Sequence, residues 1–367
     1  MSEATPGRAA GTSRSRRGGA TIEQVARAAG VSRQTVSNTL NFPERVRPDT
    51  LARVHAAIEE LGYRPDESAR ALRTGERRTF AYLAPVDDPH DPNPLMGGFL
   101  EALVDAAGAE GYRVLLFRPP PGTTDPRSAV DDLIAARQVD GFVIADVLAD
   151  DVRVRHLAQA GVPFVSFGRT GADEPQNWVD IDNAAAMGTV AAHLAERGHR
   201  RVGYLGPAET GPTAGTPATA RTAPAEGAAE LPWLTARRRG LSDAATALGL
   251  ELTTALATVA PVDAARALLS GRRRATALVA ASDLLALAAY EAVWAEGLTV
   301  GRDVAVVGFH DLPFGRVLQP PLSSVRLPLR GIASALVRGL LAQVRGGEPS
   351  GGVLLPAELL IRASSGG

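Results

Sequence analysis

TIEQVARAAGVSRQTVSNTLN, residues 21–41, is the stretch on which the reading of this chain turns. Thr21 stands at a helix start with Gln24 three positions on, the spacing of a capping box. Ile22, Val25, Ala26 and Ala29 follow at i, i+3, i+4 and i+7, so they share one face of a first helix. Gly30 breaks it, and Ser32 can cap a second helix that carries Val36 and Leu40 on its buried side. The turn between them is short enough to force a sharp crossing. A third helix starts at Pro48, a residue suited to the first helical position, and ends at Gly62. Its expected apolar stripe is Leu51, Val54, Ile58 and Leu61. Three short helices around one small core leave Arg33, Gln34, Thr35, Ser37 and Asn38 on the outer face of the second.

Those outward residue types point to nucleic acid. Arg33 can bond two acceptors on guanine, Gln34 and Asn38 can pair with adenine, and Ser or Thr hydroxyls suit phosphates. An ordinary solvated helix face would favour oppositely charged pairs, whereas this one has no acid. The pattern is that of a helix-turn-helix unit. Charge agrees with it. The net charge of −1 hides a division: residues 1–78 hold 14 Arg against 9 Asp and Glu, and the remainder holds 25 Arg against 31. A basic head on an acidic body suits a polyanion at the head only.

Other classes are excluded on composition. With no cysteine there is no disulfide, thiolate metal site or Cys nucleophile. Residues 1–20 carry Arg8, Arg14, Arg16 and Arg17 without the apolar core of a signal peptide, and read as a disordered basic tail or an arm. No apolar run approaches the roughly 18 residues needed to span a membrane, so a cytoplasmic chain is expected. No strand is followed by GxGxxG, no GxSxG elbow or P-loop occurs, and the 6 His show no metal-binding spacing. An enzyme, a metal or a cofactor is therefore not expected. A transport-type binding protein would need export and would have no use for the head.

Beyond residue 78, short apolar runs alternate with helical stretches at 79–85, 112–117, 141–145, 163–167, 178–181, 201–205, 276–280 and 304–309. Such alternation builds parallel sheets covered by helices on both faces. About 285 residues is long for one sheet, so two doubly wound α/β subdomains are expected. Residues 206–235 are rich in Pro, Ala, Thr and Gly without apolar period, and read as a mobile loop or a lid.

The head stretch, together with LGYRPDESARALRTG, YRVLLF, DGFVIAD, VDIDNAAAMGTVAAHLAERGHRRVGYLG, ALVAASDLLALAAYEA, DVAVVGFHDLP, PPLSSVRLP and LLPAELLIR, resembles the lactose-repressor (LacI/GalR) family over residues 20–363. The resemblance implies a small all-α helix-turn-helix headpiece at 21–64 and a hinge helix and linker at 65–78. An α/β periplasmic-binding-protein-like body of two doubly wound subdomains would follow at 79–367. The first lobe is expected at about 79–168 plus 310–327, and the second at 169–309 plus 328–367. The partners implied are double-stranded operator DNA, near-palindromic and bound by a homodimer, and a small-molecule effector, a carbohydrate.

Carried over by position, Arg33, Gln34 and Asn38 become base readers. Thr21, Ser32, Thr35, Ser37 and Asn41 become phosphate or positioning contacts, and Leu72 in the hinge becomes a wedge in the minor groove. Segment 66–72 is too short to hold a helix in water alone. Asp283 matches the family's ligand-binding Asp, with helix capping as the other reading, and Arg237 matches the Arg of its RxxG segment. Arg169, Asp182 and Asn183 sit near strand ends, where a turn or cap and a ligand contact are both open. Leu95 and Met96 replace aromatics common in the first lobe's cleft.

Overall fold

A computed structural model describes residues 20–64, 75–83, 94–118, 127–171, 176–207, 231–257, 260–349 and 351–366. Residues 1–19 of the expected tail (1–20), residues 65–74 of the expected hinge and linker (65–78), Leu72 among them, and residues 208–230 of the insertion lie outside the described residues. The chain divides into two compact units, one ending at Arg77 and the other beginning at Arg78.

In the first unit, α1 (Ile22–Ala29), α2 (Arg33–Asn41) and α3 (Pro48–Leu61) enclose one core of Val25, Ala26, Ala29, Val36, Val54 and Ala57. Thr21 and Gln24 form a reciprocal capping box. Gly30, in the left-handed region at φ +66°, lets α1 stop and the chain turn into α2. Ser32 accepts from the Thr35 backbone N–H at 3.1 Å. One stripe position differs from the sequence reading. Leu61 is exposed and Ala57 is buried in its stead, because the helix end has already passed the small core.

The second unit is built on two six-stranded sheets. The first joins β1 (Thr79–Leu83), β2 (Arg113–Phe117), β3 (Gly141–Ile144), β4 (Phe164–Phe167), β5 (Asn177–Ile181) and β11 (Gly352–Leu355), in the order β11-β5-β4-β3-β1-β2, all parallel. The second joins β6 (Arg201–Pro207), β7 (Glu251–Ala257), β8 (Ala277–Ala280), β9 (Ala305–His310), β10 (Ser323–Arg326) and β12 (Glu358–Leu360), in the order β12-β10-β9-β8-β6-β7. Only β12 runs antiparallel to its neighbour. The connecting helices are α4 (Pro94–Ala109), α5 (Ser128–Ala135), α6 (Val152–Gln159), α7 (Asn183–Glu196), α8 (Pro232–Ala247), α9 (Pro261–Leu268), α10 (Asp283–Ala295) and α11 (Leu329–Val344). Strands β3, β8 and β9 are apolar along nearly their whole length because both faces are covered.

The lobe segments correct the sequence reading. Strand β5, residues 177–181, belongs to the first lobe, since it pairs with β4 (Val165 opposite Asn177). Residues 310–326 end in the second, where β10 pairs with β9. Residues 329–355 return to the first: Ile332, Ala333, Leu336, Val337 and Leu340 of α11 are buried, and β11 pairs with β5. Gly141 leaves room for that helix, since a Cβ there would lie 2.7 Å from Leu340. The chain therefore crosses between lobes at Asp182, at Leu327–Pro328 and at Pro356–Ala357. Apolar periodicity says that a segment is buried, not against which sheet. The expected loop at 206–235 is also trimmed at both ends, because residues 206–207 extend β6 and residues 232–235 open α8 with Pro232 in its first turn.

Candidate functional site

On α2, Arg33 and Gln34 are exposed and Thr35, Ser37 and Asn38 half-buried, which puts the expected reading residues on one surface. Arg33 pairs loosely with Glu23 at 3.1 Å, both side chains largely in solvent. Gln34 donates to Asn38 Oδ1 at 2.9 Å, one turn apart, so the two amides hold each other in place. The Ser32 and Thr35 hydroxyls are 2.9 Å apart. Thr21 and Ser32 serve as helix caps. Asn41 ends α2.

In the body, a cavity of roughly 520 Å³, counting its open mouth, lies between the lobes at the C-terminal ends of the strands. Leu95, Met96, Asp146, Phe167, Gly168, Asp180 and Ile181 line it from the first lobe; Trp233, Arg237 and His310 line it from the second. Asn183 and Leu327, at two of the crossings, complete the wall.

Arg237 is the centre of this arrangement. It is 3% exposed. Its Nε donates to Asn183 Oδ1 at 2.8 Å, and Nη1 donates to the Ala281 carbonyl at 2.8 Å and to His310 Nε2 at 3.2 Å. The guanidinium lies 3.5 Å from the Phe309 ring centre and 4.5 Å from that of Trp233. Burial pulls its pKa down to about 9, against the fields of Tyr204, Asp180 and Asp283, and leaves it charged at neutral pH. It stands on α8, which packs tightly on α7: a Cβ on Gly240 would fall 2.5 Å from Ala184 Cα. The glycine of the RxxG segment is thus a close-approach residue that seats the arginine's helix.

Burial also raises the carboxylates of Asp180 and Asp146. Asp180 is partly relieved by the Ile181 N–H, Arg169 and Arg237, and Asp146 by Arg153. His310 is held well below its ordinary pKa, by burial first and by Arg237 second, so it is neutral. Two cavity residues have left-handed backbones that favour glycine, Asp146 at φ +50° and His310 at φ +110°.

Of the other candidate ligand residues, Asp283, Arg169 and Asp182 do not line the cavity. Asp283 is fully buried at the first position of α10, where Ser282 is the cap that accepts from Leu285 N–H. Its Oδ1 accepts from Ser324 Oγ and its Oδ2 from Leu312 N–H, both at 2.6 Å. Burial pushes its pKa up to about 6, with those hydrogen bonds opposing. Neither the capping nor the contact reading describes it: it bolts the ends of β9 and β10 to α10. Arg169 is exposed, 5.4 Å from the Trp178 ring centre. Asp182 caps α7 by accepting from Ala185 N–H. Asn183 does line the cavity. Sequence reasoning missed Asp146, Asp180, Trp233 and His310 as cavity residues. DGFVIAD and VGFHD put Asp146 and His310 just past apolar strands, a legible signal; Asp180 lies inside a strand and gave none.

Among the described residues no group of His, Asp or Glu is arranged to hold a metal ion, and no helix is long and apolar enough to cross a membrane.

Comparison with known proteins agrees with both units. Residues 21–66 match the bacterial regulatory proteins of the lacI family, and residues 191–365 match the periplasmic binding protein-like domain. The chain is 31% identical over 362 residues to the HTH-type transcriptional regulator AglR of Rhizobium meliloti (strain 1021), covering 94% of each. It is 32% identical over 358 residues to the regulator CelR of Thermobifida fusca, covering 94% of this chain and 98% of that one. Among solved structures, a CelR–cellobiose complex is 29% identical with a TM-score of 0.64, covering 94% of this chain and 99% of that one. The lac repressor dimer bound to operator and the anti-inducer ONPF shares the fold, with a TM-score of 0.75 at 23% identity over 95% of this chain and 99% of that one. Fold and family match together define a DNA-binding transcription regulator with a periplasmic-binding-protein-like effector body. The chain belongs to the LacI family.

Proposed function

We propose that this regulator binds a near-palindromic operator as a homodimer, reading bases through Arg33, Gln34 and Asn38, and that a carbohydrate held between its lobes controls the binding. The observation that carries the DNA half is the outer face of α2, where hydrogen-bonding side chains without an acid stand on a helix of the size that enters a major groove. Thr21, Ser32, Thr35, Ser37 and Asn41 position the helix on phosphates, and Leu72 wedges the minor groove from the hinge. The effector half is supported by a cavity at strand ends and by a relative solved with cellobiose. Arg237 grips the ligand from within the cavity, while Arg169 and Asp283 act from outside its wall. Arg169 biases Asp180 electrostatically, and Asp283 holds the β9–β10 ends that present His310.

Selection of binding sites from random duplex DNA by the full-length protein is the direct test. An enriched motif with two-fold symmetry and half-sites about one helical turn apart is expected. A pool that returns no enriched motif refutes sequence-specific binding, and an asymmetric single motif refutes the dimer.

A further inference from the structure

We infer that the interlobe cavity selects an uncharged polyhydroxylated ligand and rejects its phosphorylated and carboxylated analogues, because acceptors converge on it from one lobe and donors from the other. The inference rests on the effector reading above and narrows its chemistry. From the first lobe come Asp146, whose carboxylate makes no hydrogen bond among the described residues, and Asp180. Asp180 Oδ1 accepts from the Ile181 N–H and from Asn183, while Oδ2 has no partner among the described residues. From the second lobe comes Arg237, whose Nε and Nη1 hydrogens are committed, leaving the two on Nη2 without a partner among the described residues.

His310 adds a second donor. Because a guanidinium can only donate, the Arg237–His310 contact makes Nε2 an acceptor and puts the imidazole proton on Nδ1. A non-glycine residue at φ +110° holds a strained backbone. The side chain is kept there at a cost, and it meets Arg237, the Phe309 ring and the cavity. Charge in the cavity wall points the same way: two carboxylates against one guanidinium, with His310 neutral and with Arg169 and Arg153 acting on those carboxylates from outside the wall. Burial already penalises both carboxylates. A further anion in the same low-dielectric space meets the same desolvation penalty, and whichever carboxylate is ionised repels it. A sugar hydroxyl donates to a carboxylate and accepts from Nη2 or Nδ1–H, so a neutral polyol satisfies both lobes at once and ties them together.

The test is calorimetric titration of the full-length protein with matched probes. Glucose, galactose, ribose, maltose and cellobiose are compared with glucose 6-phosphate, glucuronate, galacturonate, ribose 5-phosphate, maltose 6′-phosphate and cellobiose 6′-phosphate. We expect at least one neutral sugar to bind, and its anionic counterpart to bind at least about tenfold more weakly, the effect of about 1.4 kcal/mol. Asp180→Asn, which keeps an oxygen for the Ile181 N–H, should narrow that gap, and Asp146→Asn gives a second reading should the first variant fail to fold. A phosphate or uronate that binds as tightly as its parent overturns the inference and leaves the effector reading standing. A gap unchanged in both variants also overturns it, since exclusion would not come from these carboxylates. Failure of every sugar, neutral and anionic, sinks the carbohydrate reading and the inference together.

Discussion

Asp283 and Asp311 show how the surroundings of a single carboxylate set the sign of its effect on stability. Asp283 is enclosed with donors from Ser324 and Leu312 and, among the described residues, no cation in hydrogen-bond reach, and burial raises its pKa to about 6. Asp311 is also pushed up by burial, but hydrogen bonds from Arg362, Arg326 and Arg316 outweigh this and lower it. The folded state thus binds the Asp283 proton more tightly than the unfolded chain. Stability from that group is complete below its unfolded pKa of about 3.8 and is lost as pH rises through about 6. Asp311 acts in the opposite sense, stabilising above 3.8 and losing its contribution as pH falls through its lowered value. Thermal melts across pH 4 to 7 test this. Relative to wild type, Asp283→Asn should lose the part of the slope that lowers stability toward pH 6, a difference of about 3 kcal/mol at most across the window. Parallel curves for the two proteins would show that Asp283 does not titrate there.

At the scale of elements, two helices carry function in different ways. Helix α2 presents Arg33 and Gln34 to solvent, so these outer residues contribute little to the fold. The Arg33–Glu23 pair is solvent-exposed and worth under about 1 kcal/mol, so Arg33 is released to a base at small cost. Arg33→Ala and Gln34→Ala should each weaken specific binding by about 1–3 kcal/mol and relax preference at one base position, with melting temperature nearly unchanged. Equal losses on specific and random DNA, measured by competition, would reassign these side chains to phosphates. Helix α8 works from the inside: its seat against α7 fixes Arg237. Gly240→Ala drives a Cβ onto Ala184 backbone atoms at 2.5 and 2.7 Å, which no rotamer change relieves. It should destabilise the body by about 1–3 kcal/mol and weaken effector binding while sparing the headpiece. Full effector affinity in the Gly240→Ala variant would show that Arg237 tolerates a displaced helix.

Across the whole molecule, the three crossings between lobes make the body a two-part clamp whose ligand cavity is built jointly from both parts. A ligand that touches Asp180 on one lobe and Arg237 on the other favours one lobe arrangement over others. It can alter DNA affinity only by its differential affinity for those arrangements, typically about 1–3 kcal/mol or 5- to 150-fold. Saturating the protein with the sugar identified by titration should change operator affinity within that range in a fluorescence-anisotropy assay. By linkage, operator DNA should change sugar affinity by the same factor. A sugar that binds the body yet leaves operator affinity unchanged would separate the cavity from regulation.

By itself the sequence determined everything that depends on local chemistry. Caps, breakers and 3.6-residue periodicity were enough for the helices of the head, since Thr21, Gln24, Gly30 and Ser32 act within a turn of their own positions. Continuous apolar runs located eight of the twelve strands, and the family resemblance of the RxxG segment pointed to Arg237. The tertiary structure alone decided which sheet each segment joins, because burial against either lobe leaves the same apolar pattern; β5, β10 and α11 changed lobes for that reason. It also decided β7, β11 and β12, edge strands with exposed residues, and β10, whose polar Ser323 and Ser324 are buried only because Arg362, Ser364 and Asp283 meet them there. Asp283 was drawn away from the cavity by the same long-range partners, while Asp146, Asp180 and His310 were drawn into it from positions 146, 180 and 310. Such meetings join residues far apart in the chain, and only the packing of the sheets brings them within hydrogen-bond reach.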